Sequence, residues 1–332
     1  MDSSDEALCE MLGLGSLQEV GSDSEDAVID TDSTNVPSLD DKAIGNMVTA
    51  AELSRKYIDT SVCVFPISLS PPGALMRRIT DEIVWGGSKI QADRTYETIQ
   101  VLKHGAIEKR RVLTRLENFV NHHDEWSRLC HGHLRQCISA VAGEEMVLYK
   151  EKLNLKPPGG SGFAPHLDAP SLRVALGDDG PQTFVTVMVA IDNMTVANGC
   201  LRICTGAWSE KHHCPIVTPE QDGNPDAGGR AGAIPLDESE KLDFGDILCQ
   251  GGDIVAFNGW APHRSAGNVS PFPRRAVFLT YNPKREGDCH DRYYQRMAEL
   301  RQGWRDKIGL GSAAVTQDEE AELAALATIP RI

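Results

Sequence analysis

The spacing of apolar residues in the first part of the chain is helical. Residues 49–57 fit an amphipathic helix, and a second helix is predicted to begin at Ser70, where two prolines follow the capping serine. Apolar residues in 112–142 also recur every three or four positions, which predicts a long helix with an interruption. Residues 61–69 read as a strand that Pro66 interrupts. The N-terminal part is therefore predicted to be mainly helical.

After Gly143 the pattern changes to short apolar runs that turn residues separate. These runs predict five strands: Met146–Lys156, Phe184–Ile191, Cys200–Cys204, Ile254–Phe257 and Arg275–Tyr281. A last helix is predicted at 288–310. Helices followed by many short strands favour an α+β fold whose core is a sandwich or a barrel.

Acidic residues are concentrated at the N-terminus. Residues 1–41 contain 12 of them and no lysine or arginine, so they account for most of the net charge of −15. Such a segment is expected to be disordered, and it is a candidate docking segment for a protein partner. Residues 42–332 are predicted to form one domain, with a helical part at 42–143 and a core at 144–284. This domain is near neutral and has no basic stripe, which argues against nucleic acid as a partner.

The cysteines and the lengths of the apolar runs indicate the cellular compartment of the protein. The nine cysteines are scattered and odd in number, which indicates reduced thiols and no disulfide framework. No apolar run is long enough for a membrane-spanning helix. The acidic N-terminus lacks the basic start and apolar stretch of a secretory signal, and it is too acidic for a mitochondrial presequence. By elimination, we expect a cytoplasmic protein.

A histidine and an aspartate stand two positions apart in the segment GFAPHLDAP. In an extended chain His166 and Asp168 point to the same side, so both can reach one ion. His263 follows an apolar strand in FNGWAPHRSAGN. Two histidines and one carboxylate on one face of iron(II) leave coordination sites for a co-substrate and dioxygen. We therefore predict that these three residues form a catalytic non-haem iron site.

Other histidine and cysteine groups are weaker candidates. The histidine and aspartate of 122–124 repeat the same spacing, but in a predicted helix side chains at i and i+2 diverge. The histidines at 131 and 133 lie in that same helical stretch. Cysteines and histidines within 200–214 superficially suggest zinc, but their spacing lacks the usual paired knuckles. The alternative for those cysteines is an ordinary place in a strand.

Four longer motifs extend the two metal-site segments in a fixed order. They are YKEKLNLKPPGGSGFAPHLDAP, VTVMVAIDNMTVANGCLRICTG, GGDIVAFNGWAPHRSAGN and PFPRRAVFLTYN, and they cover roughly Tyr149 to Tyr281. Together they resemble the phytanoyl-CoA dioxygenase-like family of Fe(II)- and 2-oxoglutarate-dependent oxygenases. Within that family they look closest to branches that hydroxylate small polar metabolites, such as the ectoine-hydroxylase-like and aminoalkylphosphonate-hydroxylase-like enzymes.

The resemblance implies a fold and further site residues. The fold would be a double-stranded β-helix, a jelly-roll or cupin-like core flanked by helices. Arg274, eleven residues after His263, would bind the 2-oxoglutarate carboxylate with help from Ser265. Arg275 is the alternative, because only one of two neighbouring strand residues can face the interior. Further expected pocket residues are Asn154, Lys152, Lys150, Tyr149 and, where many members have tryptophan, Met188.

The resemblance also implies an activity. The protein would be an iron enzyme that consumes 2-oxoglutarate and O2, is supported by ascorbate, and hydroxylates a small polar metabolite, for which an anionic aminoalkylphosphonate is one candidate. Related halogenases lack the carboxylate that Asp168 provides here, so hydroxylation or desaturation is favoured. One alternative is a non-catalytic metal-binding or sensor protein on the same fold. Another is an iron enzyme on a cupin-like barrel that does not use 2-oxoglutarate, against which Arg274 and Ser265 argue.

Overall fold

Two antiparallel β-sheets pack against each other, and helices cover the outer face of the larger sheet. The computed structural model describes residues 49–85, 90–103, 106–218 and 231–307. The predicted acidic tail and the end of the last predicted helix lie outside the described residues. The observed combination of antiparallel sheets and helices confirms the α+β class.

The larger sheet has seven strands in the order β1-β9-β6-β11-β4-β3-β2, and the smaller has four in the order β5-β10-β7-β8. The strands are β1 (Val62–Val64), β2 (Asp93–Lys103), β3 (Ala106–Glu117), β4 (Met146–Lys156), β5 (Phe163–His166), β6 (Val185–Ala190), β7 (Leu201–Ile203), β8 (Gly245–Ile247), β9 (Ile254–Asn258), β10 (His263–Ser265) and β11 (Arg274–Pro283). The five strands predicted after Gly143 are all present as β4, β6, β7, β9 and β11.

The helices of the described part are α1 (Ala50–Thr60), α2 (Gly73–Trp85), α3 (Asp124–Arg128), α4 (Arg135–Ala142), α5 (Asp168–Val174), α6 (Leu236–Ser239) and α7 (His290–Lys307). A π-helical segment, Leu129–Leu134, joins α3 to α4. Helix α1 begins with a capping box, in which Glu52 N donates to Thr49 Oγ1 at 3.2 Å and Thr49 N donates to Glu52 Oε2 at 2.7 Å. None of the described helices is long and apolar enough to cross a membrane.

Alternate residues of the large sheet serve two separate apolar clusters. Outward-facing residues such as Val187, Val277 and Leu279 pack against the helices. Inward-facing residues such as Met188 and Val255 pack against the smaller sheet. This alternation follows from the two-residue period of a strand, and it leaves the space between the sheets available to polar residues on the same inner face.

The helix predicted across 112–142 is wrong for its first part. Residues Ala106–Glu117 form β3, which pairs with β2 along its whole length and with β4 at Arg115, Leu116 and Glu117. The apolar spacing of this segment also fits a helix, and pairing with strands elsewhere in the chain decided the outcome. The predicted strand at 61–69 is likewise shorter, because β1 ends at Val64 and a 3₁₀ turn follows at Ile67–Leu69.

A buried ion pair fixes α7 to β4 of the large sheet. Glu151, in the middle of β4, is fully buried and accepts hydrogen bonds from the backbone N–H groups of Phe119 and Val120 at 2.8 and 3.0 Å. His290 Nε2 lies 2.7 Å from Glu151 Oε2, and the Tyr294 hydroxyl donates to the Glu151 carbonyl at 2.8 Å. The carboxylate and its partners therefore tie the C-terminal helix to β4.

Candidate metal centre and co-substrate pocket

The three predicted metal ligands come together between the sheets. Strands β5 and β10 are antiparallel neighbours, and their register places His263 directly opposite His166, with ring centroids 4.1 Å apart. Asp168 begins α5, and its Oδ1 lies 3.7 Å from Nε2 of each histidine. One ligand atom from each residue lies within 4.8 Å of the other two, which is a spacing suited to one metal ion.

Hydrogen bonds orient the ligand atoms toward one another. His166 Nδ1 donates to the Ala164 carbonyl at 2.7 Å, and His263 Nδ1 donates to the Ala261 carbonyl at 3.0 Å. Because carbonyls can only accept, each Nδ1 carries the hydrogen and each Nε2 keeps a lone pair for a metal. The Thr186 hydroxyl donates to Asp168 Oδ2 at 2.9 Å and so leaves Oδ1 for the same purpose.

The protonation states also suit metal binding. Burial, with the neighbouring His263 ring, lowers the pKa of His166 to about 4, so this imidazole is neutral near pH 7. Burial acts to raise the pKa of Asp168, but the two histidines, Lys152 and the Thr186 hydrogen bond outweigh it and lower that pKa below its usual value. A neutral imidazole and an ionised carboxylate are the forms that ligate metals.

The two neighbouring arginines of β11 have different surroundings. Arg275 points outward, where its Nε and Nη2 each lie 2.8 Å from an Asp192 carboxylate oxygen, and it also pairs with Asp81. Arg274 points inward and is 2% exposed; its Nη2 donates to the Gly199 carbonyl, and its Nε is buried without a hydrogen-bond partner among the residues that the structure describes. Burial lowers the pKa of Arg274 to about 10, which leaves it charged. Arg274 is thus the one available to a ligand between the sheets.

Four of the predicted pocket residues share the inner face of β4 and β6, and they differ in how far they are committed to other partners: Lys150, Lys152, Asn154 and Met188. Lys150 lies 3.3 Å from Glu117 in an ion pair. The Lys152 amine lies 5.6 Å from the ring centroids of both Phe163 and Phe278, and burial, with the nearby charge of Arg115, lowers its pKa to about 7.

Asn154 is buried, and its Oδ1 has no hydrogen-bond partner in the described part of the chain. Met188 is fully buried and lies opposite Phe278 in the β6–β11 register. Tyr149 packs elsewhere, against Phe184 and Tyr293, and its hydroxyl donates to the Leu172 carbonyl at 3.1 Å. Asn154 and Met188 therefore lie on the predicted pocket wall, whereas Tyr149 belongs to the packing behind α5.

The site also contains residues that were not predicted, among them Thr186, Phe278 and Lys156. Lys156, the last residue of β4, lies opposite Arg274, and its Nζ is 2.9 Å from the hydroxyl oxygen of the predicted pocket residue Ser265. The signal that would have found it is the strand period, because Lys150, Lys152 and Asn154 point to one side and the next residue in that series is Lys156.

The weaker metal candidates have ordinary structural roles. His131 Nε2 lies 2.8 Å from Asn121 Oδ1, and His133 Nε2 lies 2.8 Å from the Leu69 carbonyl. Among the described residues, one further group has metal-like spacing: Glu82, His123 and Glu125. Arg78 already bridges the two carboxylates of that group, at 2.7 and 2.6 Å, and supplies the positive charge. The cysteines and histidines of 200–214 form no such group among the described residues.

Comparison with known proteins agrees with this geometry. The family model described as Phytanoyl-CoA dioxygenase (PhyH) matches residues 76–276. A 2-aminoethylphosphonate dioxygenase of the uncultured bacterium HF130_AEPn_1 is 38% identical over 57% of this chain and 66% of its own. A methylphosphonate hydroxylase of Gimesia maris is 34% identical over 50% of this chain and 56% of its own. The matches thus span less than two thirds of the length of these relatives.

Two solved structures share the fold. AviO1 from Streptomyces viridochromogenes Tue57 superposes with a TM-score of 0.51 at 16% identity, over 73% of this chain and 98% of that one. EctD from S. alaskensis, solved with 2-oxoglutarate and 5-hydroxyectoine, superposes with a TM-score of 0.51 at 18% identity. The match covers 73% of this chain and 79% of EctD. Because the family match covers more than half of the chain and includes all three predicted ligands, the chain belongs to the phytanoyl-CoA dioxygenase (PhyH) family.

Proposed function

We propose that this protein is an Fe(II)- and 2-oxoglutarate-dependent dioxygenase that hydroxylates a small phosphonate. The observation that carries the proposal is the joint placement of His166, Asp168 and His263 around one point, with Arg274 facing the same interior. Two buried polar atoms between the sheets, Arg274 Nε and Asn154 Oδ1, have no partner among the described residues, as expected where a polar ligand binds.

The residues fit an iron site with one open side. The three ligands would hold the ion from the side of β5, β10 and α5. Bound iron(II) supplies oxidation of a C–H bond by O2, coupled to decarboxylation of 2-oxoglutarate, and ascorbate keeps the iron reduced. The chain itself positions the reactants: Arg274 and Ser265 would bind the distal carboxylate of 2-oxoglutarate, and Met188 and Phe278 would exclude water from the space between. We also propose that the two sheets form a double-stranded β-helix.

The substrate class rests on two further observations. The two bacterial relatives described above are named for phosphonates, 2-aminoethylphosphonate and methylphosphonate. In this chain, Lys152 lies on the inner face beside the ligand triad and forms no ion pair with a described residue, so it is available to an anion. Lys152 would therefore contact either the phosphonate substrate or the bound 2-oxoglutarate.

The proposal is tested in two steps. Anaerobic addition of 2-oxoglutarate to the Fe(II)-loaded protein should produce the metal-to-ligand charge-transfer absorption of a chelated 2-oxo acid. Aerobic incubation should then yield succinate, faster with 2-aminoethylphosphonate or methylphosphonate than with ectoine, which lacks a phosphonate group. A protein that bound iron but formed no succinate with any of them would support the non-catalytic metal-binding or sensor alternative.

The arginine assignment has its own test. Arg274→Ala should raise the Kd for 2-oxoglutarate by about 100-fold, because a carboxylate loses a charged hydrogen-bond donor. Arg275→Ala is the matched control on the next residue, and it should leave this Kd within about threefold because Arg275 is already paired with Asp192. Isothermal titration with the Mn(II)-loaded protein measures both, and the opposite ranking would reverse the assignment.

A further inference from the structure

Lys156 has no hydrogen left to offer a ligand. It is 4% exposed, and its Nζ donates to the Ala266 carbonyl at 2.6 Å, to Ser265 Oγ at 2.9 Å and to the Gly199 carbonyl at 3.2 Å. An ammonium group has three N–H bonds, so these three acceptors use all of them. A lysine so placed acts on the pocket through its neighbours.

The first neighbour is Ser265. Its Oγ accepts a hydrogen bond from Lys156 Nζ at 2.9 Å and another from the backbone N–H of Phe163 at 3.3 Å. A hydroxyl oxygen has two lone pairs, and both are now taken. The hydroxyl hydrogen has no acceptor among the described residues, so Ser265 is left as a hydrogen-bond donor. A carboxylate oxygen requires a donor, and a serine free to rotate would present one only part of the time.

The second neighbour is Arg274, which Lys156 reaches through a shared carbonyl. The Gly199 oxygen accepts from both Lys156 Nζ and Arg274 Nη2. Gly199 has a φ of +70°, and a Cβ there would lie 2.2 Å from the Ala266 oxygen and 2.9 Å from Lys156 Nζ. Only glycine permits this approach. The carbonyl thus holds the guanidinium in place, while Arg274 Nε has no hydrogen-bond partner in the described part of the chain.

We propose that Lys156 is a positioning residue, which fixes Ser265 as a donor and Arg274 in its inward orientation, so that both bind the distal carboxylate of 2-oxoglutarate. This inference rests on the proposed function. It is supported by charge: Lys156 and Arg274 are buried side by side, and neither forms an ion pair with a described carboxylate. Burial, and then the charge of Arg274, lowers the pKa of Lys156 to about 7. A bound carboxylate would relieve that repulsion.

The test compares two ligands that differ only in the distal carboxylate. Lys156→Met keeps the length and apolar character of the side chain and removes its donors. The Kd for 2-oxoglutarate on the Mn(II)-loaded protein should rise by about 10- to 100-fold, as expected when hydrogen bonds to a charged group are lost. The Kd for 2-oxopentanoate, which lacks that carboxylate, should change by less than about threefold. In turnover, KM for 2-oxoglutarate should rise while kcat at saturation stays nearly constant.

A double-mutant cycle separates positioning from direct contact. If Lys156 acts mainly through Ser265, then Lys156→Met should weaken 2-oxoglutarate binding by less than about threefold in a Ser265→Ala background. Full multiplication of the two effects would overturn the role of Lys156 in fixing Ser265, because the lysine would then act independently of the serine. Lys284→Met, which removes an exposed lysine paired with Glu145, is the control and should change neither Kd.

Two outcomes distinguish failure of the inference from failure of the proposed function. A wild-type protein that binds no 2-oxoglutarate would sink the proposed function and the inference with it. A wild-type protein that binds 2-oxoglutarate, together with a folded Lys156→Met variant of equal Kd, would overturn the positioning role alone. If circular dichroism shows that Lys156→Met does not fold, Lys156→Gln replaces it. The amide retains two donors, so a smaller rise in the Kd for 2-oxoglutarate is expected, and an unchanged Kd again overturns the role.

Discussion

Two clusters among the described residues, one buried and one partly buried, bring histidine and carboxylate side chains together, and they differ in whether the partners touch. In the cluster beneath α7, His290 and Glu151 are 2.7 Å apart. In the cluster between the sheets, both histidines stop 3.7 Å from Asp168. The first cluster satisfies its own charges. The second cluster holds three ligand atoms near one another without letting them bond, which leaves room for an ion.

The difference teaches how a structural pair can be told from a ligand site. Glu151 uses its carboxylate oxygens on backbone N–H groups and on His290, so nothing remains for a ligand. In the triad, the atoms that do bond inside the protein are those facing away from the centre, namely Nδ1 of each histidine and Oδ2 of Asp168. The remaining ligand atoms, Nε2 of each histidine and Oδ1 of Asp168, all face the centre of the triad. Substitutions in the two clusters should therefore change different measurements.

The largest effect is expected from Asp168→Ala. Loss of a ligand should weaken Fe(II) binding by more than the roughly 10- to 100-fold that loss of a supporting hydrogen bond costs. The metal-free protein should unfold at nearly the wild-type temperature, because neither histidine lies within hydrogen-bonding distance of Asp168. Metal titration and thermal unfolding check both statements. Asp81→Ala, which removes an aspartate paired with Arg275, serves as the control for metal binding.

His290→Gln should instead reduce stability and leave metal binding unchanged. Removing one partner of a buried pair is expected to lower the free energy of unfolding by about 3 kcal/mol. Burial opposes protonation of His290, but the hydrogen bond and charge of Glu151 outweigh it and raise the pKa above 6.5. The stabilisation is therefore complete below pH 6.5 and is lost as the pH rises through the raised pKa.

Urea unfolding of wild type and His290→Gln across that pH range measures this difference. It should be largest on the acidic side and shrink toward alkaline pH. His122→Gln is the matched control, since His122 is an exposed histidine that lies two residues after Val120, whose N–H donates to Glu151. A stability difference that did not depend on pH would mean that the pair contributes through packing alone.

The smallest effect is expected from Thr186→Val, which removes the hydroxyl that donates to Asp168 Oδ2 and keeps the shape of the side chain. Iron affinity should fall by about 10-fold, since this hydrogen bond orients a ligand without contacting the metal. The expected order of metal dissociation constants is Asp168→Ala above Thr186→Val above wild type. Equal values for Thr186→Val and wild type would show that β6 does not help to orient the carboxylate.

The site was largely predictable from the sequence because strand alternation sorts neighbouring residues into opposite faces. The two-residue spacing identified His166 and Asp168 as a pair that can reach one ion. The same alternation required Arg274 and Arg275 to face opposite sides of β11, as they do. Lys156 was missed although the same alternation reaches it. Its role depends on Gly199 and Ala266, whose carbonyls arrive from other parts of the chain.

The fold was less predictable where pairing is not local. The pattern of β3 fits a helix as well as a strand, and its identity as a strand depends on β2 and β4. Neither neighbour can be inferred from the local pattern of 112–117. Sequence alone also gave no sign of the tie between Glu151 and α7, because His290 lies far along the chain from Glu151.

The register of β5 with β10 has a consequence for the order in which the protein assembles. His166 and His263 face each other across this ladder, but the chain between them also contributes β6, β7, β8 and β9 to the two sheets. During synthesis the first histidine emerges long before its partner, and closing so large a loop is slow because its entropy must be lost first. Metal capture should therefore be a late event in biosynthesis, after β10 has paired, and chains stalled before that strand should carry no iron.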